Sequence, residues 1–332
     1  MTIMSSLATA LISSAAILWN GAGNPPAYQI QPTPSFHIAG EQVVLPFVLV
    51  DEYPFIEAEV NGAHGKLMFD TGANGALALN SRTVPLPPGE VIGTGMFGSG
   101  QTYTKVRHAS VGPIRIGPLT FDTATDVQSQ DAAQLERITP DFIGWIGYRF
   151  FDGYAVKLDY DALQATFYKD GPGAADRYLE GETVAAVIPF ETRLLPNIPI
   201  VPARLGLAPV EVAFDTGQYG TIFVTPDIQA ALESEGRVRP VDVPGETRAD
   251  LTQLVFGEDD ATLDLRVDLA DAPFPAAGPI GLQAPTVITL GYTVLSRYKT
   301  VWDYAAKTLY LLERTDPASI PAPYPAQPAT RP

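Results

Sequence analysis

The chain has 332 residues, 46% of them apolar, which is enough for one large domain or two ordinary ones with buried cores. Its 21 Lys and Arg against 37 Asp and Glu leave a net charge of −16, a field that repels a phosphate backbone and argues against nucleic acid as a partner. There is no cysteine, which removes thiol nucleophiles, disulfides and thiolate metal sites together; the three histidines, His37, His64 and His108, do not stand at metal-ligand spacing, which argues against a zinc hydrolase.

Residues 1–23 carry no charged side chain. The apolar run 7–19 followed by Gly21-Ala22-Gly23 has the form of a secretory signal peptide, although Lys and Arg are missing ahead of it. An uncleaved membrane anchor is the alternative reading, and a buried helix the third. Residues 24–40, rich in Pro and polar side chains, read as a linker. Strands are expected over 43–50 and 55–60, with Asn61-Gly62 turning the chain into a third strand that ends at Phe69. Residues 93–104 (GTGMFGSGQTYT) contain a formal Gly-x-Gly-x-x-Gly. A dinucleotide site needs a helix next, and the following residues alternate like a strand. The polar, Gly-rich stretch 169–182 is the natural boundary between two halves. Beyond it, strands are expected over 184–190, 198–203 and 210–214, and a helix over 226–236, with Pro at its start and Gly at its end. Residues 316–332, rich in Pro and Ala without periodicity, read as a disordered tail.

The two halves repeat one another. Phe69-Asp70-Thr71-Gly72-Ala73-Asn74-Gly75 is matched by Phe214-Asp215-Thr216-Gly217-Gln218-Tyr219-Gly220. A second landmark recurs at nearly the same offset: Trp145-Ile146-Gly147-Tyr148, continuing to Asp159-Tyr160, is matched by Thr289-Leu290-Gly291-Tyr292, continuing to Asp303-Tyr304. A period this long means a duplicated lobe rather than a solenoid. The lobes are expected over 41–170 and 183–314, predominantly β.

A lone Asp-Thr-Gly is a common turn sequence, but two copies in matched contexts call for a shared reason. One exposed carboxylate simply ionises. Two held about 3 Å apart share a proton, so one can act as base while the other acts as acid. Such a pair attacks an amide without metal, thiol or serine, in keeping with a chain that lacks cysteine. Gly72 and Gly217 would let backbone approach the carboxylates where a Cβ would intrude. Asp159, Asp161 and Asp303 follow apolar strands and read as structural, and Trp145 and Trp302 as core.

The paired Asp-Thr-Gly loops, each trailed by an apolar-apolar-Gly segment, resemble the pepsin-like and retropepsin-like aspartic peptidases. The downstream Asp-Tyr strands look most like bacterial retropepsin-like proteins fused in tandem. The resemblance implies an all-β, bilobal acid-protease barrel fold with the active site between two homologous lobes. It implies an endopeptidase with Asp70 and Asp215 as the catalytic pair, Thr71 and Thr216 cross-bonding the loops, and Gly72 and Gly217 completing them. It implies a single flap over a polypeptide substrate, with Phe97, Gly98, Ser99 and Gly100 at its tip. No cofactor and no metal are implied. The chain is expected to be an exported monomer, touching a membrane only if its N-terminal segment stays uncleaved. It departs from the pattern in carrying Phe97 where a flap tyrosine is usual, and Ala73 and Gln218 where pepsins place Ser or Thr. These departures put a hydroxyl contact from the flap in question and imply a pH optimum less far into acid than pepsin's. They also keep alive a second reading, a fold-retaining protein that binds peptides or inhibits other peptidases without cutting.

Overall fold

Three strands from each half meet in one six-stranded antiparallel sheet, ordered Gln42–Pro46, Gln164–Lys169, Tyr154–Asp159, Lys299–Asp303, Thr308–Leu312, Val184–Pro189. The computed structural model describes residues 36, 38, 40–125, 127–241, 247–256 and 261–315. The expected signal segment, most of the linker and the expected tail lie outside the described residues. At the centre of the sheet Lys157 faces Val301, flanked by Val156 opposite Trp302 and Leu158 opposite Thr300. That register is symmetric about Lys157 and Val301, so an approximate twofold axis passes between them. Local details repeat across it. Phe47 N donates to Leu163 O (2.8 Å) and Phe190 N to Lys307 O (2.9 Å), and Leu163 and Lys307 both take φ 52°.

Each half adds its own sheet. The first runs Glu90–Met96, Thr102–His108, Val127–Gln130, Leu77–Asn80, Phe142–Ile146, Ala63–Phe69, Tyr53–Val60, Ile114–Ile116, Leu119–Phe121, with Val48–Val50 also on Tyr53–Val60. The second runs Ile200–Leu205, Ala208–Phe214, Val287–Leu290, Gly220–Phe223, Ala261–Ala270, Arg248–Phe256, Val238–Pro240. It closes on itself where Arg248–Phe256 pairs with Ile200–Leu205. The expectation of a predominantly β, two-lobed fold is borne out.

Turn chemistry accounts for several junctions. Asn61 and Gly62, at φ 50° and 82°, join Tyr53–Val60 to Ala63–Phe69 as a two-residue hairpin turn that favours this pair of residues. The expected helix forms as Pro226–Ser234, with Pro at its first position, and is followed by Gly236 at φ 67°. The 169–182 stretch is more ordered than its glycines suggest. Ala174–Leu179 is a helix whose buried Tyr178 packs on Tyr168 and Tyr310 and donates to Asp303 Oδ2 at 2.7 Å.

Asp159 and Asp303 have structural roles, as expected. Asp159 Oδ1 accepts from Asp161 N (2.9 Å) and Ala162 N (3.0 Å), and Asp303 Oδ1 from Ala306 N (2.7 Å), so both cap hairpins of the central sheet. Asp161 pairs with the buried guanidinium of Arg314. Trp302 is fully buried, its Nε1 donating to Thr300 Oγ1 at 3.1 Å. His108 lies in a strand between Pro87 O and Ser129 Oγ, His64 is exposed, and His37 lies outside the described residues. Among the described residues no helix is long and apolar enough to cross a membrane, and no group of His, Asp and Glu could hold a metal ion.

Candidate active site

The same strand arrangement presents each aspartate. Ala63–Phe69 runs parallel to Phe142–Ile146, and Ala208–Phe214 parallel to Val287–Leu290. Asp70 N donates to Ile146 O (3.0 Å) and Asp215 N to Leu290 O (2.9 Å) as the chain leaves each strand. The preceding phenylalanines anchor the exits. Phe69 and Phe214 are fully buried, each such side chain contributing roughly 1.5–3 kcal/mol. Gly147 and Gly291 let the second landmark pass beneath the loops. A Cβ on Gly147 would lie 2.3 Å from Ala73 O, and one on Gly291 1.7 Å from Gln218 O. Both landmark glycines are thus required by close backbone approach. Tyr148 N then donates to Ala73 O (2.8 Å) and Tyr292 N to Gln218 O (3.0 Å).

The two loops meet at the twofold axis. Thr71 N donates to Thr216 Oγ1 (2.9 Å), and Thr216 N to Thr71 Oγ1 (3.0 Å). Both threonines are buried. The Thr216 hydroxyl donates onward to Phe69 O at 2.7 Å. This cross-bond brings Asp70 and Asp215 into hydrogen-bond contact. The loop glycines are as tight as expected: a Cβ on Gly72 would lie 2.3 Å from Asp215 Oδ2, and one on Gly217 2.6 Å from Asp70 Cγ.

The pair is not symmetric. Burial raises both carboxyls above the ordinary range, Asp70 well above it. The neighbouring Asp215 charge pushes Asp70 up further. Asp215 is relieved by donors: Gly217 N (2.8 Å), the Asp70 carboxyl, Gly72 N (3.0 Å) and the Gln218 side chain. Asp70 accepts from the backbone, with Ala73 N at 3.1 Å. The residues after Asp-Thr-Gly add to this difference, since Ala73 offers no side-chain donor and Gln218 offers an amide. Two raised carboxyls in contact titrate as one unit and hold a proton in common.

Glu90–Met96 and Thr102–His108 form a hairpin whose tip is Phe97, Gly98, Ser99 and Gly100. The tip turn is held by Phe97 N to Gln101 O (2.9 Å) and Gly100 N to Phe97 O (2.8 Å). The strand after the tip, in place of a helix, removes the dinucleotide reading of this glycine run. The Phe97 ring packs 4.4 Å from Tyr103 and 6.0 Å from Trp145. Trp145 is buried as expected, yet it also carries the flap tip. Tyr103, on the return strand, lies near the pair: burial and the nearby Asp70 push its phenol up to about 12. In the second lobe the corresponding hairpin pairs Val238–Pro240 with Arg248–Phe256, and residues 242–246 between them lie outside the described residues.

Of two supports of the first loop, Asn197 carried no signal in the sequence and Tyr304 stood out only as part of a repeat. Asn197, buried in the second half, donates from Nδ2 to Thr71 O (2.9 Å) and Gly72 O (2.8 Å). Tyr304 belongs to the repeated Asp-Tyr landmark. It donates to Asn197 O at 2.9 Å and hydrogen-bonds the Thr71 side chain beneath the dyad.

No family model matches the chain, and no curated protein matches it. Solved structures similar to it include an aspartic proteinase from Irpex lacteus, at 13% identity over 84% of this chain and 99% of that one, with a TM-score of 0.49. They also include the basic 7S globulin from soybean, at 13% identity over 82% of this chain and 95% of that one, again with a TM-score of 0.49. The fold and site described above rest on the strand order and contacts of this chain alone.

Proposed function

We propose that the chain is an aspartic-type endopeptidase that hydrolyses peptide bonds with water activated by the Asp70/Asp215 pair. One observation carries this reading: two duplicated loops, cross-bonded through Thr71 and Thr216, hold two carboxyls in mutual hydrogen bond beneath a hairpin. Such an arrangement raises the energy of both carboxyls and stabilises no strand, so the fold bears a cost that acid–base chemistry explains.

In this reading a water between the carboxylates gives a proton to Asp215 as its oxygen bonds to the scissile carbonyl carbon. The Asp70 proton moves to the carbonyl oxygen, forming a tetrahedral diol. The C–N bond then breaks as Asp215 returns its proton to the departing nitrogen, and one diol hydroxyl returns its proton to Asp70. The new carboxyl and amine ends leave with the pair restored. The substrate is an extended polypeptide, with apolar side chains received by the flap aromatics Phe97 and Tyr103. The apolar N-terminal run supports export, with the enzyme acting as a monomer outside the cytoplasm; cell fractionation tests that part.

The test is incubation of the full chain with a mixture of denatured proteins from about pH 2 to about pH 8, the range spanned by known aspartic pairs and neutrality. Cleavage that survives a chelator and is blocked by a statine-containing peptide is expected. A folded chain that binds the statine peptide but cuts nothing at any pH would favour the peptide-binding reading instead.

A further inference from the structure

Gln218 is held firmly by its backbone. Its N–H donates to Asp215 O (3.2 Å) and its carbonyl accepts from Tyr292 N (3.0 Å), with Gly291 packed against that carbonyl. The side chain reaches two places at once. Its carboxamide lies beside the Asp215 carboxyl and holds it down. Its Nε2 also lies 3.0 Å from where a Cβ on Gly98 would stand. Gly98 is at the tip of a hairpin from the other lobe. A second tip residue lies close to the second lobe: a Cβ added to Gly100 would be 3.3 Å from Pro275 Cβ. The closed flap therefore rests across the cleft on Gln218 and Pro275. The first lobe has no counterpart, because the matching position is Ala73.

We propose that Gln218 is a positioning residue that couples flap closure to the dyad, its carboxamide steadying the Asp215 carboxylate while the length of the side chain seats the flap tip at Gly98. A side chain long enough for both tasks explains glutamine here, where a hydroxyl would serve Asp215 alone. With the flap tip against Gln218, entry of a polypeptide must lift Gly98 from that side chain. The consequences for turnover rest on the endopeptidase reading; the latch itself does not.

Three substitutions separate the two contacts. Gln218→Met keeps the length and loses the donor. Gln218→Thr keeps a short donor beside Asp215 and loses the reach. Gln218→Ala loses both. The acid limb of kcat/KM should move up by about one pH unit in the Met and Ala variants and stay in place for Thr. Amide exchange at Phe97 and Gly100, which report the tip turn, should quicken about tenfold in the Thr and Ala variants and stay parental in Met. A merely structural glutamine would give three variants with the same pattern, and that result overturns the proposal. So would an unmoved acid limb in Met, or parental exchange in Thr. Exchange is read on the resting full chain, and 13C titration of the dyad carboxyls reads the acid-limb shift without turnover. A chain that cuts nothing would thus sink the peptidase reading while both arms still decide the latch.

Discussion

Thr216→Val removes one hydroxyl and keeps the branched shape and its rotamer. That hydroxyl accepts from Thr71 N at 2.9 Å and donates to Phe69 O at 2.7 Å, at a site buried from solvent. Valine leaves a buried N–H with no partner and weakens the satisfaction of a buried carbonyl. A stranded buried polar group costs about 1–3 kcal/mol, so the pair of losses comes to about 2–4 kcal/mol. For a chain of this size that lowers Tm by about 5–10 °C. Thr71→Val strands Thr216 N in the same way, spares Phe69 O and loses the Tyr304 contact, so it should cost about as much. The two hydroxyls lie 3.5 Å apart in one network, so the double variant should cost less than the sum of the singles. Thr216→Ser keeps both hydrogen bonds and should recover most of the loss, short of about 1 kcal/mol for the missing methyl. The assay is calorimetry of the four variants beside the parent, with kcat/KM on a peptide. A Thr216→Val protein that melts within about 1 °C of the parent, well inside the shift expected for a lost buried bond, would refute the idea that this cross-bond joins the loops.

Gly217→Ala should abolish activity with the fold retained, at a cost of about 1–3 kcal/mol, because its Cβ would press on Asp70 at 2.6 Å; Gly75→Ala, with nothing within 4 Å of its Cβ, is the tolerated control. Burial raises both carboxyls, so both limbs of the pH–rate bell move up together, and kcat/KM should peak above about pH 3. A profile peaking below that value contradicts the rise that burial imposes on both carboxyls. Stability follows the same linkage. A carboxyl whose pKa is raised on folding contributes stability below its unfolded value, which is lost as pH rises through the folded value. Asp70→Asn should therefore melt at or above the parent at neutral pH, and the advantage should vanish as pH falls to about 4, the unfolded value. Calorimetry at the two pH values checks this.

What could be read from the sequence was what is encoded locally. The Asp-Thr-Gly loops announce themselves by repetition, Asn61-Gly62 by its turn chemistry, and the flap hairpin by glycines followed by alternating residues. The two-lobed β architecture follows from those pieces in order. The remainder depends on contacts between segments far apart in the chain. Asn197 braces Thr71 and Gly72 from the opposite half, and nothing around it in the sequence marks that role. Gln218 reads in isolation as a lost hydroxyl, whereas its reach to Gly98 appears only once the flap is folded over it. Tyr103 is similar: six positions past Phe97 looks like a displacement, but a hairpin returns it to the Phe97 ring and to Asp70. The helix Ala174–Leu179 was hidden among glycines because the packing of Tyr178 on Tyr168 and Tyr310, rather than local propensity, selects it.

The central claim is that two carboxyls act as one unit, and it is tested most directly by Asp70→Asn and Asp215→Asn in the full chain. Each variant is first shown by circular dichroism to be folded, then mixed with denatured protein at the parent's optimal pH. The account predicts that the parent cuts and that each single variant loses activity by about the same factor, at least 10³-fold, since either loss destroys the shared proton. Cleavage by either folded variant at a rate near the parent's would contradict it.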